Sequence, residues 1–387
     1  MIIPPLKLAL ASKSPSRLTT LRAAGMDPIT QVSNVDEDAL LAQICGGASS
    51  RVLALATAKA RDVAAHPKAA AHADLILGCD SMFEFGGEIV GKPHSPNVAR
   101  ERLHAMSGNT GILHTGHFLV HRGSLRGIGA VSHAAVHVAE LTDQEIDAYV
   151  ESGEPLEVAG SFTIDGRAAP FITSIEGDHH GVVGVSPTLM RSMLREYGIS
   201  ITQLWSDARA IEADLNEEGV RFFDSERPAR IFHGADGFIL CSCGRRHWGL
   251  NGAAGICAYR HHNGRIEILL QLRTSWSHGG RTWGIPGGAI DWDETPEEGG
   301  LREFEEETGI GGASLSPKST HYNEHGDWAY TTTIAECVDG VEAVPDRESE
   351  RLEWVDISQP LPETLLPSFA AVWPEVREMV WQAASAG

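Results

Sequence analysis

No apolar run in this chain approaches the roughly 20 residues that a membrane-spanning helix needs, so a membrane protein of that kind is excluded. The start, Met1-Ile2-Ile3-Pro4-Pro5-Leu6-Lys7, lacks the basic stretch and apolar segment of a secretory leader, and a cytoplasmic protein is expected. Cysteine is sparse. Six thiols scattered over 387 residues do not make a disulfide framework and read as reduced. Positive charge is short as well: 31 Lys and Arg face 52 Asp and Glu, for a formal net charge of −21. Such a surface repels nucleic-acid backbone and anionic lipid, and basic residues interleaved with aromatics are missing too. A small anionic substrate stays compatible, because a local cation cluster or a bound divalent ion reverses the field inside one cleft.

What is present suffices for two cores. Hydrophobic residues make up 42% of the chain, and its length exceeds that of most single compact domains. From 6 to 205, strand-like apolar runs alternate with amphipathic helices, which argues for an α/β domain. A strand is expected over 7–11, helices over 14–24 and 52–65, and a short buried strand over 75–77. Ser95-Pro96 opens a further helix that closes at Gly108, and Thr142 with Glu145 forms a capping box. From 206 to 232 the periodicity fades and charges dominate, as in a linker with room for one short helix. The pattern resumes at 237–240, with later strands expected near 255–259, 266–272, 329–336 and 352–355. The expected division is therefore 1–205, a linker over 206–232, and 233–387.

The strongest signal lies in the second part. Gly288 is followed after five residues by Glu294, and after seven more by Arg302-Glu303-Phe304-Glu305-Glu306-Glu307-Thr308-Gly309-Ile310. Thr295 can cap a helix, Pro296 suits its first position and Glu298 completes a capping box. Glu303, Glu306 and Glu307 are spaced i, i+3 and i+4, so three carboxylates share one face. Like charges so placed repel, and the arrangement makes sense with a hard cation among them; Mg²⁺ shared with phosphate oxygens fits best. Leu301 and Phe304 would face the core, and Arg302 could orient a neighbouring carboxylate. A solvated acidic helix is the competing reading. Seven fixed polar or glycine positions argue against it, since a chance match falls well below about one in ten thousand.

This pattern resembles the signature of Nudix hydrolases, and the likeness runs over about 237–381; Trp283-Gly284-Ile285-Pro286-Gly287-Gly288 is similar to that family's approach to its motif. The resemblance implies an α/β/α sandwich that hydrolyses a nucleoside diphosphate linked to another group. It further implies Glu303, Glu306 and Glu307 as ligands of Mg²⁺, Mn²⁺ or another divalent cation, with Glu306 also catalytic. Gly299-Gly300 departs from the small alanines more usual there, at about 1 kcal/mol of helix propensity each. Glu348, in a loop before the 352–355 strand, could supply a base or a further ligand, against the plainer reading of a surface glutamate.

In the first part, Ala9-Leu10-Ala11-Ser12-Lys13-Ser14-Pro15-Ser16-Arg17 runs strand, tight loop, helix start. Ser14 can cap and Pro15 suits the first helical position, and free backbone N–H groups there form an anion site. Arg17 sits in the first turn, where the helix dipole disfavours a cation, so an anion is expected nearby. Further islands follow: Asp36-Glu37; Leu55-Ala56-Thr57-Ala58-Lys59-Ala60; Gly78-Cys79-Asp80-Ser81; Gly91-Lys92-Pro93; Ser107-Gly108; His114-Thr115-Gly116; Ala159-Gly160; and Gly177-Asp178. In this order they resemble the Maf family of nucleoside triphosphate pyrophosphatases, over about 6–205.

That resemblance implies a second α/β domain with a twisted mixed sheet. Ser12, Ser14, Arg17, Lys59 and Lys92 would hold the triphosphate, Glu37 and Asp80 would bind the divalent cation, and Asp80 would be the base that activates water. Ser16, Gly111 and Asp165 depart from residues common in the family, which leaves the preferred base open, pyrimidine or modified. The expected partners are nucleotide substrates only, with no nucleic-acid polymer and no membrane; a homodimer stays open. Cys241-Ser242-Cys243 with His247 has poor spacing for a structural zinc knuckle and is discounted.

Overall fold

Residues 2–66, 71–212, 214–223, 234–275 and 279–385 are described by the computed structural model. They fall into two compact units, Met1–His233 with Gly237–Arg246, and Gly234–Asp236 with His247–Gly387. No helix among the described residues is long and apolar enough to cross a membrane.

The first unit is built on a mixed sheet. Leu8–Leu10 runs parallel to Ile29–Thr30 on one side and to the start of Leu75–Phe85 on the other. Leu75–Phe85, Thr110–His121 and Gly127–Val138 then pair antiparallel in chain order. The sequence ends the 75–77 strand early because Gly78, Asp80 and Ser81 interrupt the apolar run. It hides the two following strands because their histidines, threonines and glycines blur the alternation on which strand reading depends.

Helix Ala48–Ala65 lies on this sheet closer than side chains would permit. A Cβ on Gly78 would fall 2.0 Å from the Ala56 carbonyl oxygen, and one on Gly116 would fall 2.3 Å from that of Val52. The close approach buries Val52, Leu53, Leu55, Ala56 and Ala60 and carries Lys59 down onto the polar stretch of the strand. Gly78→Ala is therefore expected to destabilise the chain by about 3 kcal/mol, because backbone must move to admit the methyl; a lowered denaturant midpoint measures it. On the other face Leu8, Leu10, Leu75 and Leu77 pack against Leu21 of Pro15–Ala23 and Met190 and Leu194 of Pro187–Glu196.

Part of the segment read as a linker packs onto this unit. Ile211–Glu212 pairs antiparallel with Ile2–Ile3. Phe222 of helix Glu217–Phe223 is fully buried and stacks on Tyr197 with ring centres 3.9 Å apart. Exposed acidic residues such as Glu217 mask that single anchor in the sequence. The linker positions 213 and 224–232 lie outside the described residues. Phe238–Leu240, expected to open the second domain, runs parallel beside Ile128 and Gly129 as a strand of the first sheet.

In the second unit Ala253–His262 is central, antiparallel to Arg265–Arg273 and parallel to Trp328–Cys337, with Leu315–His325 antiparallel beyond. Strict alternation sends Ile256, Ala258, Leu269 and Ala335 to one face, where Phe304 of Pro296–Thr308 covers them. Cys257, Tyr259, Leu270 and Ile334 point the other way, towards Val376 and Val380 of Pro367–Ser385. The result is the expected α/β/α sandwich. The unexpected glycines have a local cause: a Cβ on Gly300 would sit 3.3 Å from Ala254 Cβ of the central strand, and one on Gly299 would sit 3.3 Å from Ile290 Cα in the loop before the helix.

Candidate active sites

Three elements converge in the first unit. Lys59, only 7% exposed, places Nζ 2.7 Å from Asp80 Oδ1 and 3.0 Å from Glu37 Oε1. Glu37 opens the short helix Glu37–Leu41 and is half in solvent, so the ammonium ties an exposed carboxylate to a buried one. Burial raises the Asp80 carboxyl above its ordinary range, while Lys59 and then Arg17 pull it back down. Asp80 thus combines a carboxyl raised by burial with two cations beside it, a setting that suits a proton acceptor.

Arg17 is anchored more firmly than a simple phosphate holder. Its Nε–H donates to Gly184 O at 2.8 Å, one terminal nitrogen donates to Ser12 Oγ (3.1 Å) and Cys79 O (2.9 Å), and the other donates to Ser81 Oγ at 3.1 Å. Four of its five N–H groups are thereby engaged, leaving one. Thr115, fully buried, donates its single hydroxyl hydrogen to Gly181 O at 2.8 Å, so Ser81 donates to Thr115 across 2.9 Å and accepts from Arg17. This directed chain fixes the guanidinium beside Asp80. Ser81 and Thr115 lie inside islands visible in the sequence, but nothing there gave them a role.

Ser12 sits at the same place, its Oγ also accepting from Ser14 N–H at 3.2 Å. Ser14 occupies the position before the helix but makes no side-chain cap; its hydroxyl pairs with Ser16 Oγ at 2.9 Å. Lys92 is exposed on a loop and makes no ion pair among the described residues, so the structure does not join it to Lys59 and Asp80. Gly111 faces Phe83: a Cβ there would fall 2.1 Å from the ring, which fills that space.

In the second unit the acidic helix begins with the predicted capping box of Thr295 and Glu298. Arg302 grips Glu294 with two donors, at 2.6 and 2.9 Å, and reaches Glu303 Oε1 at 2.8 Å and Ala289 O at 2.9 Å. Glu307 is buried and accepts from the Gly287 N–H at 2.8 Å. Glu306 is largely exposed, with Arg302 3.8 Å away. The loop of Gly287 and Gly288 leaves room for these carboxylates, since a Cβ on Gly288 would lie 2.3 Å from Glu303 Oε2. Glu348 is half-buried before the strand Ser349–Asp356, its backbone oxygen accepting from Thr274 N–H at 3.0 Å.

The donor set fits a hard divalent cation. Burial pushes Glu303 up to about 7 and Glu307 up to about 8 from an ordinary 4.5, the mark of carboxylates lacking enough positive charge around them. Between pH 4.5 and 8 the folded chain therefore holds protons that the unfolded chain has released, so metal-free stability falls as pH rises through that window. A cation binds the deprotonated pair, so its affinity rises over the same range. The expected result is a small thermal stabilisation by Mg²⁺ at about pH 6 and a large one at about pH 8.5; equal shifts at both would contradict this.

Elsewhere, no disulfide joins the cysteines.

Residues 7–197 match the family described as Maf-like protein, and residues 249–375 match the NUDIX domain. A nucleoside triphosphate pyrophosphatase/Nudix hydrolase fusion protein of Bifidobacterium longum is 44% identical over 308 residues, covering 78% of this chain. This chain spans 64% of the length of that relative. A nucleoside triphosphate pyrophosphatase of Streptomyces avermitilis is 48% identical over 200 residues, or 52% of this chain and 95% of its own. Among solved structures, the Nudix hydrolase RenU from M. smegmatis is 37% identical over 38% of this chain and 96% of its own, with a TM-score of 0.36. The class these relatives define is that of hydrolases acting on phosphorus anhydrides. The chain belongs to the Maf-like proteins through its first half and to the Nudix hydrolases through its second.

Proposed function

We propose that the chain is a bifunctional nucleotide pyrophosphatase, with one site in each of its two units. The first site would convert a nucleoside triphosphate, pyrimidine or modified, to the monophosphate and pyrophosphate. The second would split a nucleoside diphosphate derivative such as ADP-ribose or a modified nucleotide. The observation that carries the reading is the pair of separate carboxylate clusters, Asp80 with Glu37 and Glu303 with Glu306 and Glu307, each set against a basic side chain that orients it.

In the first site Lys59 and Arg17 supply positive charge where a triphosphate would lie, with Ser12 beside them and Ser14 and Lys92 at its approaches. Asp80 accepts the proton of the attacking water, and Glu37 with Asp80 would hold the cation once Lys59 yields to it. In the second site buried Glu307 and half-buried Glu303 form a half-cradle and Glu306 the exposed third arm. A bound Mg²⁺ or Mn²⁺ would neutralise phosphate charge and favour ionisation of water at either place. The experiment is product analysis by phosphorus NMR with Mg²⁺ and with chelator. Pyrophosphate from triphosphates and two monophosphates from ADP-ribose, both lost on chelation, are expected; turnover that survives chelation would sink the metal assignment.

A further inference from the structure

The face of the second sheet that leads away from the glutamates carries aromatic and polar groups without an assigned task. Asn323 stands opposite Tyr330 and His325 opposite Trp328, and directly opposed residues share a face. His321, one step earlier on that face, is met by the helix Pro367–Ser385, with Nε2 3.0 Å from Glu375 Oε2. Beyond it Asn323, His325, Trp328 and Tyr330 are all half-buried. The Tyr330 end touches the cation cradle: a Cβ on Gly287 would lie 2.9 Å from its hydroxyl, and Gly287 is the residue whose N–H binds Glu307. Trp328 follows two residues along the strand, about 7 Å away, which is the span of a ribose.

The geometry points to this face as the seat of the nucleobase, and to a purine rather than a pyrimidine, on the reading above that this half hydrolyses a nucleoside diphosphate derivative. Trp328 is already fixed for stacking. Its Nε1–H donates to Trp248 O at 3.1 Å and Gly249 O at 3.0 Å, and one ring face lies parallel to His247, 4.3 Å away at 10°. An aromatic surface held in place beforehand loses little freedom when a base joins the stack, and an indole overlaps a two-ring base most fully. Edge recognition is also at hand. The Asn323 carboxamide forms no hydrogen bond among the described residues, and it offers a donor and an acceptor together.

The test uses the full chain and two substrates, ADP-ribose and its cytosine counterpart, with Trp328→Phe, Trp328→Leu and Asn323→Ala. Trp328→Leu is expected to raise KM for ADP-ribose about tenfold with kcat nearly unchanged, the size of one lost base stack. Trp328→Phe keeps a ring and should recover most of that loss, which separates stacking from misfolding. Asn323→Ala should narrow the preference for adenine over cytosine. An unchanged KM in both Trp328 variants, or equal losses on both substrates, overturns the assignment. If neither substrate is hydrolysed by the wild type, the functional reading fails on its own. AMP titrated calorimetrically then decides this inference: one binding event lost in Trp328→Leu supports it, and no difference overturns it.

Discussion

Lys59→Met is expected to cost the chain about 3 kcal/mol of stability at neutral pH and to abolish triphosphate turnover, because it leaves Asp80 charged and buried without its nearest cation. The side chains are 9% and 13% exposed, so solvent cannot replace the lost partner. The pH dependence has a definite sign. Burial raises the Asp80 carboxyl and Lys59 lowers it, so removing Lys59 raises it further. The deficit must then shrink as pH falls and Asp80 takes up a proton. The double variant Lys59→Met with Asp80→Asn should regain most of the stability and none of the activity. Denaturant unfolding of the four proteins of that cycle measures the coupling directly. A double variant as unstable as Lys59→Met would mean that the lysine acts through packing alone.

Arg302→Ala is expected to weaken divalent-cation binding about a hundredfold, although Arg302 would not itself touch the metal. Its fork holds Glu294 and reaches Glu303, one of the cradle carboxylates. Without it Glu303 loses its orienting donor, and the Glu294 carboxyl rises from the low value that Arg302 imposes. Arg302→Lys should restore little, since one ammonium cannot reproduce a planar fork on two carboxylates. Mg²⁺ dependence of ADP-ribose turnover reads the effect as a raised metal requirement with saturating rate partly retained. A loss of rate at every Mg²⁺ concentration, with the metal requirement unchanged, would place Arg302 outside the cation cradle.

These two sites were unequally legible in the sequence. The glutamates of the second lie within one helix turn and a half, so spacing alone puts them on one face, and the cap, the helix and the Arg302 pairing all follow from adjacent residues. What spacing could not give is depth: Glu307 is buried and Glu306 exposed, a difference set by the strands beneath. In the first site Glu37, Lys59 and Asp80 come from three elements, and only the ordered likeness to a family linked them. Their meeting depends on Gly78 and Gly116, which read as strand breakers but allow the helix to touch the sheet. The Arg17–Ser81–Thr115 chain was invisible because it is closed by a backbone oxygen at Gly181, far away in sequence. The short helix allowed in the linker is found at Glu217–Phe223, but its docking has no trace in the sequence for a related reason, since one buried phenylalanine among exposed acids leaves no periodic pattern.

The measurement that tests the central claim most directly is release of pyrophosphate and phosphate from a nucleotide panel with Mg²⁺, comparing wild type, Asp80→Asn and Glu306→Gln. Two independent sites predict that Asp80→Asn removes triphosphate hydrolysis and spares ADP-ribose, and that Glu306→Gln does the reverse. If Asp80→Asn changes nothing while Glu306→Gln removes every activity, the first half is a binding module and the chain has a single catalytic centre.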